Sequence, residues 1–243
     1  MLFAILFMCT MTLVMPVLHA QESYGQPEAP LVAEVLGTEI RTADPEEMKY
    51  VILSRLLEPY AAEHSIEVSQ ADIDAYIDAM ARVAEQDRQR RAAQREELVR
   101  QLDKTPPDDT GREALSSQIE TLDQLQSSLD EMDSGSAEDH AAREQVATAF
   151  IRQWKINRAL YRQYGGRIIY QQGGPEPLDA WRQFLEGQEK QGSFRILDKS
   201  LASEFWRYYT TDSIHSFYPA GRQEEAQAFE KPWWLLESPA QSR

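Results

Sequence analysis

Apolar residues recur at intervals of three and four along most of this chain, and that periodicity most constrains its fold. The first face of this kind predicts a helix from Asp44 to about residue 64, and its members are Met48, Val51, Ile52 and Leu56. Asp44 is a good N-cap, Pro45 suits the first helical position, and Glu47 completes a predicted capping box.

A second helix is predicted to start at Ser69 and to run to about residue 103. Its first half has an apolar stripe, whereas the sequence past Glu85 is helix-favouring but mostly polar. A turn cluster at 105–111 ends it, and a third helix repeats leucine every seven residues at Leu115, Leu122 and Leu129. This repeat is short for an independent coiled coil. We therefore expect 84–135 to form a projecting antiparallel hairpin, and favour a solvated helical pair over a partner-binding coiled coil.

A fourth helix is predicted to return into the body, packing on the helices at 44–64 and 70–83. It ends at Gly165-Gly166, since glycine favours the position after a helix end. A short strand at 167–170, a break at 173–177 and a helix at 177–190 follow. Phe194 and Ile196 are expected to pair as a strand with 168–170, before a helix capped by Asp198 and an irregular tail from Asp212.

These elements predict a mainly α fold with little β structure. Its helical body spans 31–166, including the inserted hairpin, and an aromatic-rich C-terminal segment at 167–243 packs on it. Residues 1–20 are uncharged and almost wholly apolar, which predicts a signal peptide cleaved after Ala20. An uncleaved membrane anchor is the alternative. A flexible leader is expected at 21–30.

Composition excludes several classes of protein. The chain has 243 residues, with 40 acidic against 25 basic side chains and a net charge of −15, which argues against a nucleic-acid binder. Its one cysteine, Cys9, lies in the predicted signal peptide, so neither a disulfide framework nor a cysteine-built zinc site is expected. The predicted signal peptide indicates that the protein is periplasmic or secreted.

Two sequence motifs resemble those of a known family. Residues 32–40 read VAEVLGTEI and residues 66–73 read IEVSQADI. They resemble the opening strand and the helix link of the N-terminal domain of SurA-type periplasmic chaperones and foldases. The resemblance covers about 31–83 and 143–165 and implies a polypeptide-binding helical domain. The inserted hairpin is a departure, and no parvulin signature follows residue 166, so prolyl isomerase activity is not implied.

Aromatic density is the unusual feature of the C-terminal third, where all five tryptophans follow residue 153. These side chains are expected to form a compact core. The alternative is a partly exposed groove that accepts apolar segments of other polypeptides, since Trp and Tyr offer large contact area at low entropic cost. The candidate polypeptide-binding residues are Trp154, Trp181, Phe184, Phe205, Trp206 and Tyr209.

The sequence assigns no catalytic, cofactor-binding or metal-binding residue. His64, His140 and His215 lack helical ligand spacing, and no Gly-x-Ser-x-Gly elbow is present. The sequence therefore favours a non-catalytic protein that binds unfolded or partner polypeptides in the cell envelope. Two alternatives remain: an adaptor that docks a fixed partner through the hairpin, and an enzyme whose site is invisible in sequence spacing.

Overall fold

The computed structural model describes residues 29–106, 109–132, 136–171 and 173–236. The predicted signal peptide and residues 21–28 of the leader lie outside the described residues. Within them the fold is mainly α, as predicted. The α-helices are α1 (Pro45–Glu63), α2 (Gln70–Lys104), α3 (Gly111–Met132), α4 (Ala137–Tyr164), α5 (Leu178–Lys190), α6 (Lys199–Thr210) and α7 (Gln223–Gln227).

Hydrogen bonds from side chains fix the helix ends. Asp44 caps α1, as predicted, but Glu47 accepts a hydrogen bond from the Thr42 hydroxyl and does not close a capping box. The Thr42 hydroxyl also accepts a hydrogen bond from the Asp44 amide, so Thr42 fixes the chain that leads into α1. Ser69 forms the complete capping box of α2, and α4 ends at Gly165, whose φ is 66°.

A three-stranded antiparallel sheet joins the hairpin that precedes α1 to a strand that follows α5. It consists of β1 (Leu31–Val35), β2 (Thr38–Arg41) and β5 (Phe194–Ile196), in the order β2-β1-β5. The predicted strand and turn at its start are confirmed, and Leu36 and Gly37 both have positive φ, of 47° and 77°. This is the geometry of a type I′ hairpin turn.

The predicted pairing of Phe194 and Ile196 with 168–170 is wrong. Those residues pair with β1, whereas β3 (Ile169–Gln171) pairs with β4 (Gly174–Glu176), a segment that the sequence predicted to be a break. Gly174 supplies the positive φ that this hairpin needs, 106°. The C-terminal chain occupies the other edge of β3, since the Tyr170 amide donates to Ser216 O at 2.9 Å. Neither edge of β3 is therefore free for residues 194–196.

The distal part of α2 and the whole of α3 form the predicted antiparallel hairpin. Two nearly parallel bonds join Arg95 to Asp123, at 2.6 and 3.0 Å, and Arg88 contacts Asp130 at 3.3 Å. Leu98 is buried between the two helices. Within the described ranges, no side chain from Ala81 to Glu131 joins either of the two apolar cores. The hairpin therefore makes its contacts mainly within itself.

Helix α4 returns into the body and packs against both α1 and α2, as predicted. In the main core, Ile156 and Leu160 of α4 are buried in one cluster with residues of α1, the sheet, α5 and α6. In the second core, Ala147, Ile151 and Trp154 meet Tyr76 and Ala79 of α2. Ile168 and the C-terminal residues Ala228, Phe229 and Trp234 complete that cluster.

Candidate functional site

A groove of about 620 Å³ lies between α1 and α4, and we call it the α1–α4 groove. Its volume falls within the range usual for ligand sites. One wall is a single face of α1, the other is a face of α4, and the floor comes from β4, α5 and α6. The lining residues are Glu46, Lys49, Tyr50, Leu53, Ser54, Leu57, Ala149, Arg152, Gln153, Ile156, Glu176, Trp181, Tyr208 and Tyr209.

Apolar side chains at the mouth of the groove remain accessible to solvent. Tyr50 is 72% exposed, although it carries a large ring, and Leu53 one turn further along α1 is partly exposed. On α4, Ala149 is exposed, and the rest of that wall is polar or, at Ile156, buried in the main core. The apolar surface at the mouth therefore comes mainly from Tyr50 and Leu53 of α1.

The floor of the groove is held by a buried amide. Asn157 is 6% exposed; its Oδ1 accepts hydrogen bonds from Trp181 Nε1 at 2.9 Å and from Gln153 at 3.0 Å. Its Nδ2 donates to Pro175 O at 3.1 Å. Because both ends of the amide are satisfied, the indole of Trp181 and the β4 backbone have fixed positions.

A half-buried carboxylate and a phenol stand side by side on the floor. The Tyr208 hydroxyl donates to Glu176 Oε2 at 2.8 Å and accepts from Gln171 Nε2 at 2.9 Å. His215 donates from Nε2 to the Tyr208 carbonyl at 2.7 Å. Burial raises the pKa of Glu176. The hydrogen bond from Tyr208 and the charges of His215 and Lys49 lower this pKa, but burial has the larger effect. Burial also raises the pKa of Tyr208, and Glu176 adds to that effect.

The two basic side chains of the groove already have acidic partners. Lys49 Nζ lies 2.6 Å from Glu46, on the same wall. Arg152 lies 2.8 Å from Glu58 and joins the two walls. Both pairs are substantially exposed, so each contributes little to stability, but together they leave Glu176 as the carboxylate of the groove without a cationic partner.

The groove has the features of a binding surface and lacks an activated nucleophile. Ser54 lines it, but its hydroxyl donates to the Val51 carbonyl at 3.1 Å, and no His, Asp or Glu in the described ranges hydrogen-bonds to it. A nucleophilic serine needs an adjacent base. No group of three metal-ligating side chains converges in the part of the chain that the structure describes.

The structure places five of the six predicted polypeptide-binding residues inside the protein. Trp154, Trp181, Phe184, Phe205 and Tyr209 are between 2% and 4% exposed, and Trp206 is half-buried against the main core. They belong to the compact core that the sequence favoured and do not form an exposed patch. Only Trp181 and Tyr209 reach the α1–α4 groove, as parts of its floor.

The residues that open the groove are ones that the sequence analysis missed. Tyr50 and Leu53 lie off the apolar stripe by which α1 was recognised, and Glu176 lies in the segment predicted to be a break. A signal was available for α1, because Tyr50, Leu53 and Leu57 give the helix a second apolar face. No comparable signal marks Glu176, since its position depends on β4 pairing with β3.

Two further grooves run along the α2–α3 hairpin, with volumes of about 660 and 400 Å³. The first is lined mainly by serine, acidic and amide side chains of α3, and the second contains the Arg95–Asp123 and Arg88–Asp130 pairs. Their charged groups are paired with each other or solvated, so the α1–α4 groove is the stronger candidate for a binding site.

No protein-family model matches the chain, no curated protein matches its sequence, and no solved structure matches its fold. None of the helices in the described ranges is long and apolar enough to cross a membrane.

Proposed function

We propose that the protein is a non-catalytic, chaperone-like protein of the periplasm that binds polypeptide segments in the α1–α4 groove. The observation that carries this proposal is the exposed apolar surface of Tyr50 and Leu53 on α1, which faces Ala149 of α4 across a groove whose floor includes Trp181. Grooves between helices accept the apolar face of a helical or extended segment. Burial of that segment would stabilise the complex by about 25 cal/mol per Å² before the costs of ordering.

Two features of the sequence support the location and the class of this function. The apolar segment at 1–20 is the expected export signal, and contact with the membrane follows only if it stays uncleaved. The resemblance of 31–83 and 143–165 to SurA-type chaperones agrees with a polypeptide-binding role. The order of a β-hairpin, α1, a long α2 and a returning α4 is compatible with that family.

Substitutions at the mouth of the groove test the proposal. Tyr50→Asp and Ala149→Gln change exposed helix positions, so the protein is expected to fold normally. Loss of an aromatic anchor should weaken the binding of apolar peptides about tenfold and reduce suppression of the aggregation of a denatured model protein. Leu36→Asp is the matched control, because Leu36 is 52% exposed in the β1–β2 turn, outside the groove. Equal binding by Tyr50→Asp and the unmodified protein would contradict the proposal.

The hairpin favours a second candidate, an envelope adaptor. Leu125 and Leu129 of α3 and Val83 of α2 are 46%, 37% and 39% exposed, on helices that bury little else. A partner helix packed on these side chains would complete a small bundle. An adaptor predicts that a protein lacking 84–135 loses one specific partner and keeps peptide binding in the groove. A groove-based chaperone predicts that the same deletion leaves aggregation suppression intact.

A further inference from the structure

Among the residues that the structure describes, Glu176 has no cation within ion-pair distance, although His215 and Lys49 act on it from further away. Its Oε2 accepts the Tyr208 hydroxyl at 2.8 Å. Throughout the described ranges, no lysine, arginine or histidine nitrogen lies within 4.0 Å of either carboxylate oxygen, and Oε1 makes no hydrogen bond to the protein. A partly buried carboxylate with an unused oxygen favours an incoming donor, above all a charged one.

The neighbouring basic side chains already contact other carboxylates. Lys49 is paired with Glu46 at 2.6 Å, and Arg152 with Glu58 at 2.8 Å. The charges that line the groove are therefore balanced except at Glu176. A ligand with a positive charge would compensate the negative charge of Glu176, whereas a ligand with an acidic group at that place would be repelled.

Burial and aromatic surroundings strengthen the same preference. Burial raises the pKa of Glu176, which means that its position in the groove disfavours the charged carboxylate. A cation placed next to it would offset that cost. Lys49 Nζ already lies 5.9 Å from the centre of the Tyr208 ring, so the rings at this end accept a cation nearby. The net charge of −15 adds long-range attraction for basic segments.

We infer that the α1–α4 groove selects polypeptide segments in which a lysine or arginine is flanked by apolar residues, with the cationic group bound to Glu176 Oε1. This inference rests on the proposed function, because it names the class of segment that the same groove binds. Apolar flanks contact Tyr50, Leu53 and Ala149, and the long aliphatic stem of the basic side chain crosses the apolar wall to reach the floor.

Three short amphipathic peptides that differ only at one central position test the inference. That position carries lysine, norleucine or glutamate, and binding is measured by fluorescence anisotropy at physiological and high ionic strength. The protein variants are Glu176→Gln, which keeps the shape and the acceptor for Tyr208, and Glu189→Gln, which removes an exposed carboxylate of α5 as the matched control. Circular dichroism and thermal unfolding verify that both variants fold.

The expected result is that the unmodified protein and Glu189→Gln bind the lysine peptide about tenfold more tightly than the norleucine peptide. With Glu176→Gln the two affinities should fall within about twofold of each other. A lysine preference that survives Glu176→Gln would overturn the inference, because the overall negative charge of the protein would then be its cause. Equal binding of the two peptides, abolished by Tyr50→Asp, would overturn it while leaving the proposed function intact. Failure of every peptide to bind the unmodified protein would overturn both.

Discussion

At the residue scale, Asn157 and Glu176 define the floor of the groove in different ways. Asn157 is buried and hydrogen-bonded at both ends of its amide, so it fixes Trp181 and the Pro175 carbonyl without adding charge. Glu176 is half-buried and hydrogen-bonded on one oxygen only, so it retains the capacity to bind something else. A buried polar group that is fully satisfied stabilises the fold, whereas one that is partly satisfied costs stability until a ligand completes it.

The raised pKa of Glu176 predicts a pH-dependent cost to the folded protein. A carboxyl whose pKa is higher in the folded state binds protons more tightly there, so its contribution to stability falls as pH rises from the unfolded pKa through the folded one. Glu176→Gln should therefore increase the free energy of unfolding at pH 7. The increase should vanish at pH values below the ordinary glutamate pKa, where both states are protonated.

Denaturant unfolding of the two proteins across this pH range measures the difference. The groups around Glu176 are Lys49 of α1, Tyr208 and Tyr209 of α6, and His215 beyond α6. Of these, His215 is a second ionisable side chain that acts electrostatically on Glu176, so His215→Gln serves as the background in which the experiment is repeated. A stability difference that is constant with pH, or that reverses sign, would show that burial of the charge is not its cause.

At the element scale, the hairpin and the body are expected to be separable. The described residues from Ala81 to Glu131 contribute to neither core, and the base of α2 is held by Tyr76 and Ala79, which precede the hairpin. Replacing 84–135 with a short Gly/Ser linker should lower helical content while keeping the Tm of the body within about 4 °C. Ala79→Asp, which places a charge in the second core, is the destabilised control. Exposure of apolar surface or loss of cooperative unfolding after the deletion would contradict this expectation.

The elements that could be predicted from the sequence are those whose cause is local. Periodicity and capping residues were sufficient for the main helices, because Ser69, Asp44 and Gly165 act within a turn of their own positions. The partner of β5 could not be predicted in the same way. Its pairing with β1 joins Phe194 to Val35, residues far apart in the chain, and a short strand carries little information about which edge it will meet.

The groove was unpredictable for a related reason. It lies between α1 and α4 over a floor that β4, α5 and α6 supply, so its shape depends on the packing of elements that are distant in the sequence. Aromatic density correctly predicted a core but said nothing of which ring would remain outside. Tyr50, which is 72% exposed, lies in the α1 sequence between the members of the buried stripe.

At the scale of the whole molecule, the C-terminal tail, residues 212–236, connects parts of the fold that are distant in sequence. Arg167, at the end of α4, hydrogen-bonds to Asp179 of α5 and to Asp212 of the tail, and lies 4.5 Å from the Phe217 ring. These two carboxylates raise the pKa of Arg167, mainly through their hydrogen bonds. Further on, Trp234 packs edge-on against Trp154 and Tyr76, with ring centres 5.7 and 5.2 Å apart. The tail thus closes the second core, where α2 leaves the body.

Removal of one tail side chain should therefore loosen the base of the hairpin. Trp234→Ala leaves a cavity between α2 and α4 and is expected to cost about 3–5 kcal/mol, which lowers the Tm by roughly 10 °C. Leu235→Ala is the matched control, since Leu235 is 46% exposed and its removal should cost less than about 0.5 kcal/mol. Amide hydrogen exchange should rise first around Tyr76 and Ala147, on the two helices that Trp234 joins. Unchanged exchange at both positions, or equal effects of the two substitutions, would mean that the tail covers the second core without holding it together.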